Sequence, residues 1–437
     1  MEIGLCQVKL SSNEWIAHFD FKSHYPSRQK LNYFPTGFKH MYEIKEDFNV
    51  NDSFVNETFS LKELEYLCND KCVLMTLAFK NLKLKRNVTA PYLSVSHSLN
   101  TNYICRNEKG VKGTDNGKII DAEGIILFTL TELDWIWVQK QYDTDGILIL
   151  DVWTSERSTF PTELQSVIDE FFYIKETEIR KRYRDKIKNW LNSIYGMTAT
   201  DIIRADVLLD LDTGEWTINR AYKKTSQNKE LINGKLNKYY NSRNNFMSYQ
   251  YGVYTTAHAR NELFKLIEEV GYQYFIYADT DSIFFVATEE NMKKIEKYNN
   301  AIKKLNIGID TDKGRVYYGT FENEKDDIKR FKFLHAKCYA IEHSDGTLSI
   351  TIAGVTKDNK QIGKAKITRE MELGCIENLS DEFKFVECGG TRADYGFHKP
   401  ELINIDGHDI ELASWCTILK SEKQLSSIEH YEEYEPE

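Results

Sequence analysis

The alternation of apolar and polar positions divides this chain before any motif does. "EWIAHFDF", Glu14 to Phe21, reads as a strand, because alternate side chains of an extended backbone point to opposite faces. It leads into "KSHYPSRQ" and a turn near Pro35 and Gly37. A mixed region from Met41 to Asp151 comes next. It has a short helix around "LKELEYLCNDKCVLMTLAFKNLK", holding Cys68 and Cys72, then strands, loops and a turn signal at "NEKGVKGTDNGK". Two helical patterns follow in succession. In "FPTELQSVIDEFF", Leu164, Val167, Ile168, Phe171 and Phe172 form one apolar face, and the second pattern runs from Glu176 to Ile194. Met197 to Ser248 is strand-like and polar, with a hairpin signal at "DLDTGEW". The spacing then predicts a helix over Tyr249–Val270, stopped by Gly271. "YADTDSIFF" reads as strand, turn and strand. A helix, a strand-rich stretch and a region past Asp345 complete an α+β chain.

Composition changes this picture little. A chain of 437 residues suggests more than one packed unit, and 41% hydrophobic with 28% charged residues is ordinary for a globular protein. No repeat of solenoid or propeller period is present. No stretch is long and apolar enough to span a bilayer, and "MEIGLCQVKL" has no signal-peptide pattern, so a cytoplasmic location is expected. The eight Cys residues show no CxxC pair and no zinc-like array with His, which points to free thiols. His97, His335 and His343 have no metal-like spacing. A net charge of -10 argues against a nonspecific nucleic-acid coat but leaves room for a local basic groove. Part of that charge sits in the tail "EHYEEYEPE".

Three stretches carry candidate chemistry. In "YADTDS", Asp279 and Asp281 lie two apart, and on an extended backbone they share a face. Asp is depleted in strands, and paired carboxylates need an answer to their repulsion. A solvated hairpin turn is one answer and a divalent cation another. In "IRKRYRDKIKNWLNSIYG", Ile179, Tyr183, Ile187, Trp190 and Ile194 fall on one packing stripe. Arg180, Arg184, Lys188 and Tyr195 fall on the neighbouring stripe. Cations one turn apart, finished by a ring, suit a triphosphate with a stacked base; a solvated basic face is the alternative. Asn192 and Ser193 precede the Tyr-Gly step. In "HFDFKSHYPS", Asp20 ends an apolar run and Tyr25-Pro26 follows at once. Taken together, Asp20 and Asp281, with Asp279 nearby, can hold two Mg²⁺ ions, with Mn²⁺ as a substitute, while the cationic helix holds a triphosphate. That is nucleotidyl transfer.

Here the sequence resembles the family B DNA polymerases. "DFKSHYPS" resembles the motif DxxSLYPS, "KNWLNSIYG" resembles KxxxNSxYG, and "YADTDS" resembles YxDTDS, in the family's order. "TAHAR", Thr256 to Arg260, resembles the TxxGR element of the protein-primed subgroup of phages and linear plasmids, with Ala259 in place of Gly. "HAKCYAI" resembles its KxY element through Lys337 and Tyr339, and "IAGVTK", Ile352 to Lys357, resembles a further stretch. The resemblance covers nearly the whole chain. It implies a right-hand polymerase of α+β class with an antiparallel palm sheet, helical-hairpin fingers and a small thumb. The segments implied are a first palm part (1–40), an insertion (41–151), fingers (155–195), a second insertion (197–248), a second palm part (249–340) and a thumb with tail (341–437).

The resemblance also implies roles. Asp20 and Asp281 ligate the metals, with Asp279 in support and the Phe21 carbonyl as a further ligand. Tyr25 stacks under the sugar and excludes a 2′-hydroxyl. Arg184 and Lys188 bind the triphosphate, and Asn192 and Tyr195 line the nucleotide site. Thr256, Arg260, Lys337 and Tyr339 contact the primer strand. Primer–template DNA, deoxynucleotides and a priming terminal protein are the implied partners. Two departures stand out. His24 occupies the usual Leu position beside Tyr25. Only nineteen residues precede Asp20, where the family places a 3′–5′ exonuclease. The expectation is a chain without its own proofreading, with a separate exonuclease-bearing chain as a partner. The competing expectation is a catalytically silent or split-polymerase DNA-binding subunit that needs a separate N-terminal exonuclease chain.

Overall fold

Trp15–Phe21 is the strand that the alternation predicts, and it lies inside a seven-stranded antiparallel sheet of the computed structural model. The structure describes residues 14–44, 54, 59–99, 103–104, 113–115, 117–200, 206–209, 216–219, 229–242, 248–352 and six strands between 384 and 424. One edge of Trp15–Phe21 pairs with Ser282–Ala287, which pairs in turn with Phe275–Asp279. The other edge meets Phe321–Asn323 and Ile328–His335, and the sheet continues through Cys338–His343 to Leu348–Ile352. The period of two sorts the side chains. Ala17, Phe19, Phe21, Ile283 and Phe285 enter the main core, whereas Ile16, Phe284, Phe331 and Ile341 pack on the opposite face. Asp20 follows Ile16 and His18 on that second face.

The segment after the first strand differs from its prediction in two places. Before the expected turn near Pro35 and Gly37, in a stretch given no element, His24–Leu31 is a helix. Pro26 sits in its first turn, where a missing N–H costs nothing. The helix around Leu61 stops at Asp70, and Cys72–Leu84 is a thirteen-residue strand. Cys72 therefore opens a strand. The run "CVLMTLAF" is apolar but for Thr76 and carries no period to separate helix from strand. With Lys39–Glu43, Gly146–Ser155, Asp121–Thr131, Tyr103–Ile104 and Tyr142–Asp143 it makes a six-stranded antiparallel sheet.

Thr162–Thr177 and Lys181–Thr198 form a helical pair joined by Glu178–Arg180. The strands Asp206–Leu209 and Trp216–Asn219 bracket the expected "DLDTGEW" hairpin, and Lys229–Tyr240 is a helix in a region read as strand-like. Asp394–His398 is likewise a strand in a stretch read as a loop. Residues 353–357 of "IAGVTK" and the acidic tail lie outside the described residues.

The helix Tyr249–Val270 joins these parts. It ends where Gly271, at φ +100°, breaks the right-handed path. At Gly252 a Cβ would lie 3.0–3.1 Å from Thr198 and Ala199, so this glycine lets the end of Lys181–Thr198 pack directly on the long helix. Glu132 fastens the six-stranded sheet to the same helix. Buried, it accepts bonds from Tyr254 Oη (2.7 Å), the Val73 N–H (2.8 Å) and Tyr33 Oη (3.0 Å). Such satisfaction is what keeps a buried carboxylate tolerable. No helix among the described residues is long and apolar enough to cross a membrane.

Candidate nucleotidyl-transfer site

The sheet brings the acids together by register. Asp20 lies opposite Ser282 on one side and Glu322 on the other. The Phe21 N–H bonds to the Asp281 carbonyl at 2.9 Å, so the two acidic segments are clamped backbone to backbone. The pair Asp279 and Asp281 is not carried on one extended strand. The Asp281 N–H bonds to the Asp279 carbonyl at 2.6 Å and Thr280 sits at φ +55°, which makes a tight turn between Phe275–Asp279 and Ser282–Ala287. The hairpin turn and the acidic site, posed as alternatives by the sequence, are one structure. The turn separates the acids. Asp281 faces the cavity, whereas Asp279 accepts from Thr280 Oγ1 (3.0 Å) and lies 3.6 Å from Lys337 Nζ.

The cavity, about 830 Å³, is lined on one side by Asp20, Phe21, Tyr25 and Asp281. Arg184, Lys188, Asn192 and Tyr195 face them from Lys181–Thr198. Their spacing places them on one stripe of the helix. The neighbouring stripe, with Ile187, Leu191 and Ile194, is buried against the core. Four expected members depart from these stripes: Tyr183 and Trp190, expected on the packing face, are 40% and 44% exposed, and two others lie outside the helix. Arg180 precedes the helix and is bound to Glu178 through Nε (3.0 Å) and Nη2 (2.8 Å). Ile179 belongs to the connection and is exposed. Tyr25, in the first turn of His24–Leu31, has its ring centroid 4.4 Å from that of Tyr195. Burial, then the neighbouring Tyr195 phenol, pushes its hydroxyl up to about 12.

Residues without a sequence signal complete the wall. Lys175 donates to Ser23 Oγ at 2.8 Å and pairs with Glu176 at 3.1 Å. Lys22 lies 3.2 Å from Glu176 and 3.5 Å from Glu322. Glu324 also lines the cavity. These charges sit outside any helical or strand period that would have singled them out.

The electrostatics favour a cation between the acids. Burial pushes the Asp20 carboxyl up to about 7, reinforced by Asp281 and Glu324 and opposed by Lys188 and Lys175. Burial, then Asp279, raises Asp281, with Lys188 and Lys337 opposing. Asp20 Oδ1 is buried without a hydrogen-bond partner, a costly state unless a ligand completes it. Among the described residues no group of three or more His, Cys, Asp or Glu could hold a metal by itself. Two facing carboxylates with phosphate oxygens and water as further ligands suit Mg²⁺. The residues present fit that ion.

The four expected primer-strand residues lie outside the cavity lining. Thr256 Oγ1 bonds back to the Val253 (2.9 Å) and Gly252 (3.2 Å) carbonyls. Arg260 is held by Asp134 (2.9 Å) and by Tyr92 Oη (3.3 Å) of the inserted region. Its charge still reaches the phenols of Tyr25 and Tyr195. Lys337, at φ +58°, occupies a turn and its N–H donates to Tyr277 Oη at 2.7 Å. Tyr339 packs against Tyr277, Phe284 and Phe331.

No family model and no curated protein matches the chain. Solved structures do. The complex of phi29 DNA polymerase with primer-template DNA and incoming nucleotide substrates superposes with a TM-score of 0.54 at 18% identity, over 95% of this chain and 58% of that one. The post-translocation binary complex with primer-template DNA gives 0.52 at 18% identity, over 93% and 58%. The orthorhombic crystal form gives 0.52 at 19%, over 92% and 58%. This chain thus spans 58% of the length of the phi29 polymerase structures and shares the fold of that part.

Proposed function

We propose that this chain is the catalytic core of a template-directed DNA polymerase that adds deoxynucleotides to a primer 3′ hydroxyl. The observation that carries the reading is the cavity itself, lined by Asp20 and Asp281, by Arg184 and Lys188, and by Tyr25 and Tyr195 with ring centroids 4.4 Å apart. The fold of phi29 DNA polymerase supports it. In this reading the seven-stranded sheet, through Leu348–Ile352, is the palm, residues 155–195 are the fingers and the thumb lies beyond that sheet rather than from residue 341. The reading assigns the segments 41–151 and 197–248 to the two insertions of the protein-primed subgroup, with a terminal protein as priming partner.

Asp20 and Asp281 would hold two Mg²⁺ ions, or Mn²⁺, which supply activation of the attacking hydroxyl and neutralisation of the leaving pyrophosphate. The chain's own groups do the rest. Arg184 and Lys188 bind the triphosphate by charge-assisted hydrogen bonds and hold it in line. Tyr195 and Asn192 seat the nucleotide. Tyr25 closes the sugar pocket against a 2′-hydroxyl. Asp279 orients Lys337, which, with Thr256, Arg260 and Tyr339, is assigned to the primer strand. The test is primer extension by the purified chain with Mg²⁺ and dNTPs, beside Asp281→Ala. Extension abolished by the substitution supports the reading. Primer–template binding without extension by the unsubstituted chain would instead favour the silent DNA-binding subunit.

A further inference from the structure

The helix Lys181–Thr198 has a third, half-exposed face that lines no part of the cavity and meets the packed interior only where Trp190 lies against Phe171, ring centres 5.9 Å apart. Tyr183, Trp190 and Met197 recur every seven residues and are 40%, 44% and 50% exposed. Ile179, just before the helix on the same line, is 92% exposed. At 100° per residue this stripe lies on the far side of the buried Ile187–Leu191–Ile194 face from the cavity residues. An apolar stripe on a surface helix needs a partner, and the charges around it say which kind. Ile179 to Lys188 contains six cations and one acid, in a chain of net charge -10. Arg184 and Lys188 line the cavity, but Arg180, Arg182 and Lys186 do not. Two of these lie over the exposed rings. Lys186 Nζ is 4.8 Å from the Trp190 ring centre, and the Arg180 guanidinium is 5.1 Å from that of Tyr183.

We propose that this outer stripe binds a single strand of nucleic acid, stacking bases on Tyr183 and Trp190 and placing phosphates at Arg182 and Lys186. Exposed rings interleaved with cations form a stacking platform along a phosphate track. The two rings stand about 10 Å apart along the helix, room for successive nucleotides. A duplex would present no free base face to them, because its bases stack on each other. An acidic protein segment would satisfy the cations but would not need the rings. The site is independent of catalysis and concerns the side of the helix turned away from the cavity, so it stands or falls apart from the polymerase reading.

The test is fluorescence anisotropy of a labelled oligo-dT with the full chain, without dNTP or divalent ion, across a salt series. The variants are Arg182→Gln/Lys186→Gln, Trp190→Leu, which keeps apolar bulk against Phe171, and the cavity pair Arg184→Gln/Lys188→Gln. Loss of two phosphate contacts lowers the slope of log affinity against log salt by about 1.4. Trp190→Leu weakens binding about tenfold, within the range for one base–ring stack. The outer double variant carries exposed substitutions only, so it reports on binding even where Trp190→Leu disturbs folding. Unchanged affinity and slope in the outer double variant would overturn the proposal, as would an effect confined to the cavity pair or no binding by the unsubstituted chain.

Discussion

Asp20 ties function to stability. Its carboxyl is pushed up to about 7 by burial and by Asp281, while an unfolded Asp titrates near 4. Between those values the folded chain holds a proton that the unfolded chain has lost. Its contribution is therefore most favourable below about pH 4 and declines as pH rises to about 7. Asp20→Asn mimics the protonated acid. In metal-free protein the substitution should raise Tm at pH 8 and change it little at pH 4, while extension falls by about 10²–10³, the scale for losing one preorganised electrostatic group. A Tm difference that does not grow between those two pH values would count against the burial argument. His24 offers a second residue-scale prediction. Its ring is buried, stacks on Phe21 at 4.1 Å, and its Nε2 donates to the Ala259 carbonyl at 3.1 Å. Burial holds it well below the usual imidazole range, so it acts as a neutral strut between the Tyr25 turn and the long helix. Removing one hydrogen bond is worth about 1 kcal/mol. His24→Leu should reduce discrimination against ribonucleotides about fivefold, His24→Gln less, and Tyr25→Ala most of all. Equal selectivity in His24→Leu and the unsubstituted chain would leave the strut without a role.

Elements were legible wherever period and punctuation agreed. Tyr249–Val270 and Gly271 were read from the sequence with the bounds observed, since its apolar spacing is helical and a glycine closes it. The cavity stripe Arg184–Lys188–Tyr195 was legible for the same reason. Cys72–Leu84 was not, because its apolar run lacks a period, and His24–Leu31 was hidden by Pro26 and a polar composition. Lys175, Glu322 and Glu324 reach the site only through tertiary packing, which no local pattern records. The contact between Arg260 and Asp134 belongs to this class. Asp134 caps Glu132–Gln141, accepting from the Thr131 N–H at 2.9 Å, and binds Arg260 from another element. Burial alone would raise its carboxyl, but Arg260 and Tyr92 hold it below the usual range. Asp134→Ala removes the cap and strands the Arg260 charge, at a cost of about 3–5 kcal/mol by denaturant melts. Loss of under 1 kcal/mol would show that solvent replaces the pair.

At the scale of the molecule, the six-stranded sheet and the seven-stranded sheet share one core. Leu77, Phe79 and Phe128 of the first, with Trp137 of the helix Glu132–Gln141, join Phe19, Phe21, Ile283 and Phe285 of the second, and Leu263, Phe264 and Ile267 of the long helix lie among them. Trp137 also donates to Asn261 Oδ1 at 3.0 Å, and Phe264 packs on Trp137 and Tyr92 with ring centres 5.6 and 4.7 Å apart. A core that crosses two sheets through one helix has no plane along which either can open alone, unlike domains joined by a thin polar interface. Both sheets should therefore exchange their amide hydrogens through one cooperative opening. Hydrogen exchange followed by mass spectrometry gives the test. Amides in Leu77–Phe79 and in Ile283–Phe285 should share one opening free energy. Phe264→Ala should lower both by the same amount, about 3–5 kcal/mol for a truncated core ring. Protection lost in the six-stranded sheet but kept beside Asp281 would mean that the seven-stranded sheet folds without the other, and that the long helix is a support for one sheet rather than the joint between two.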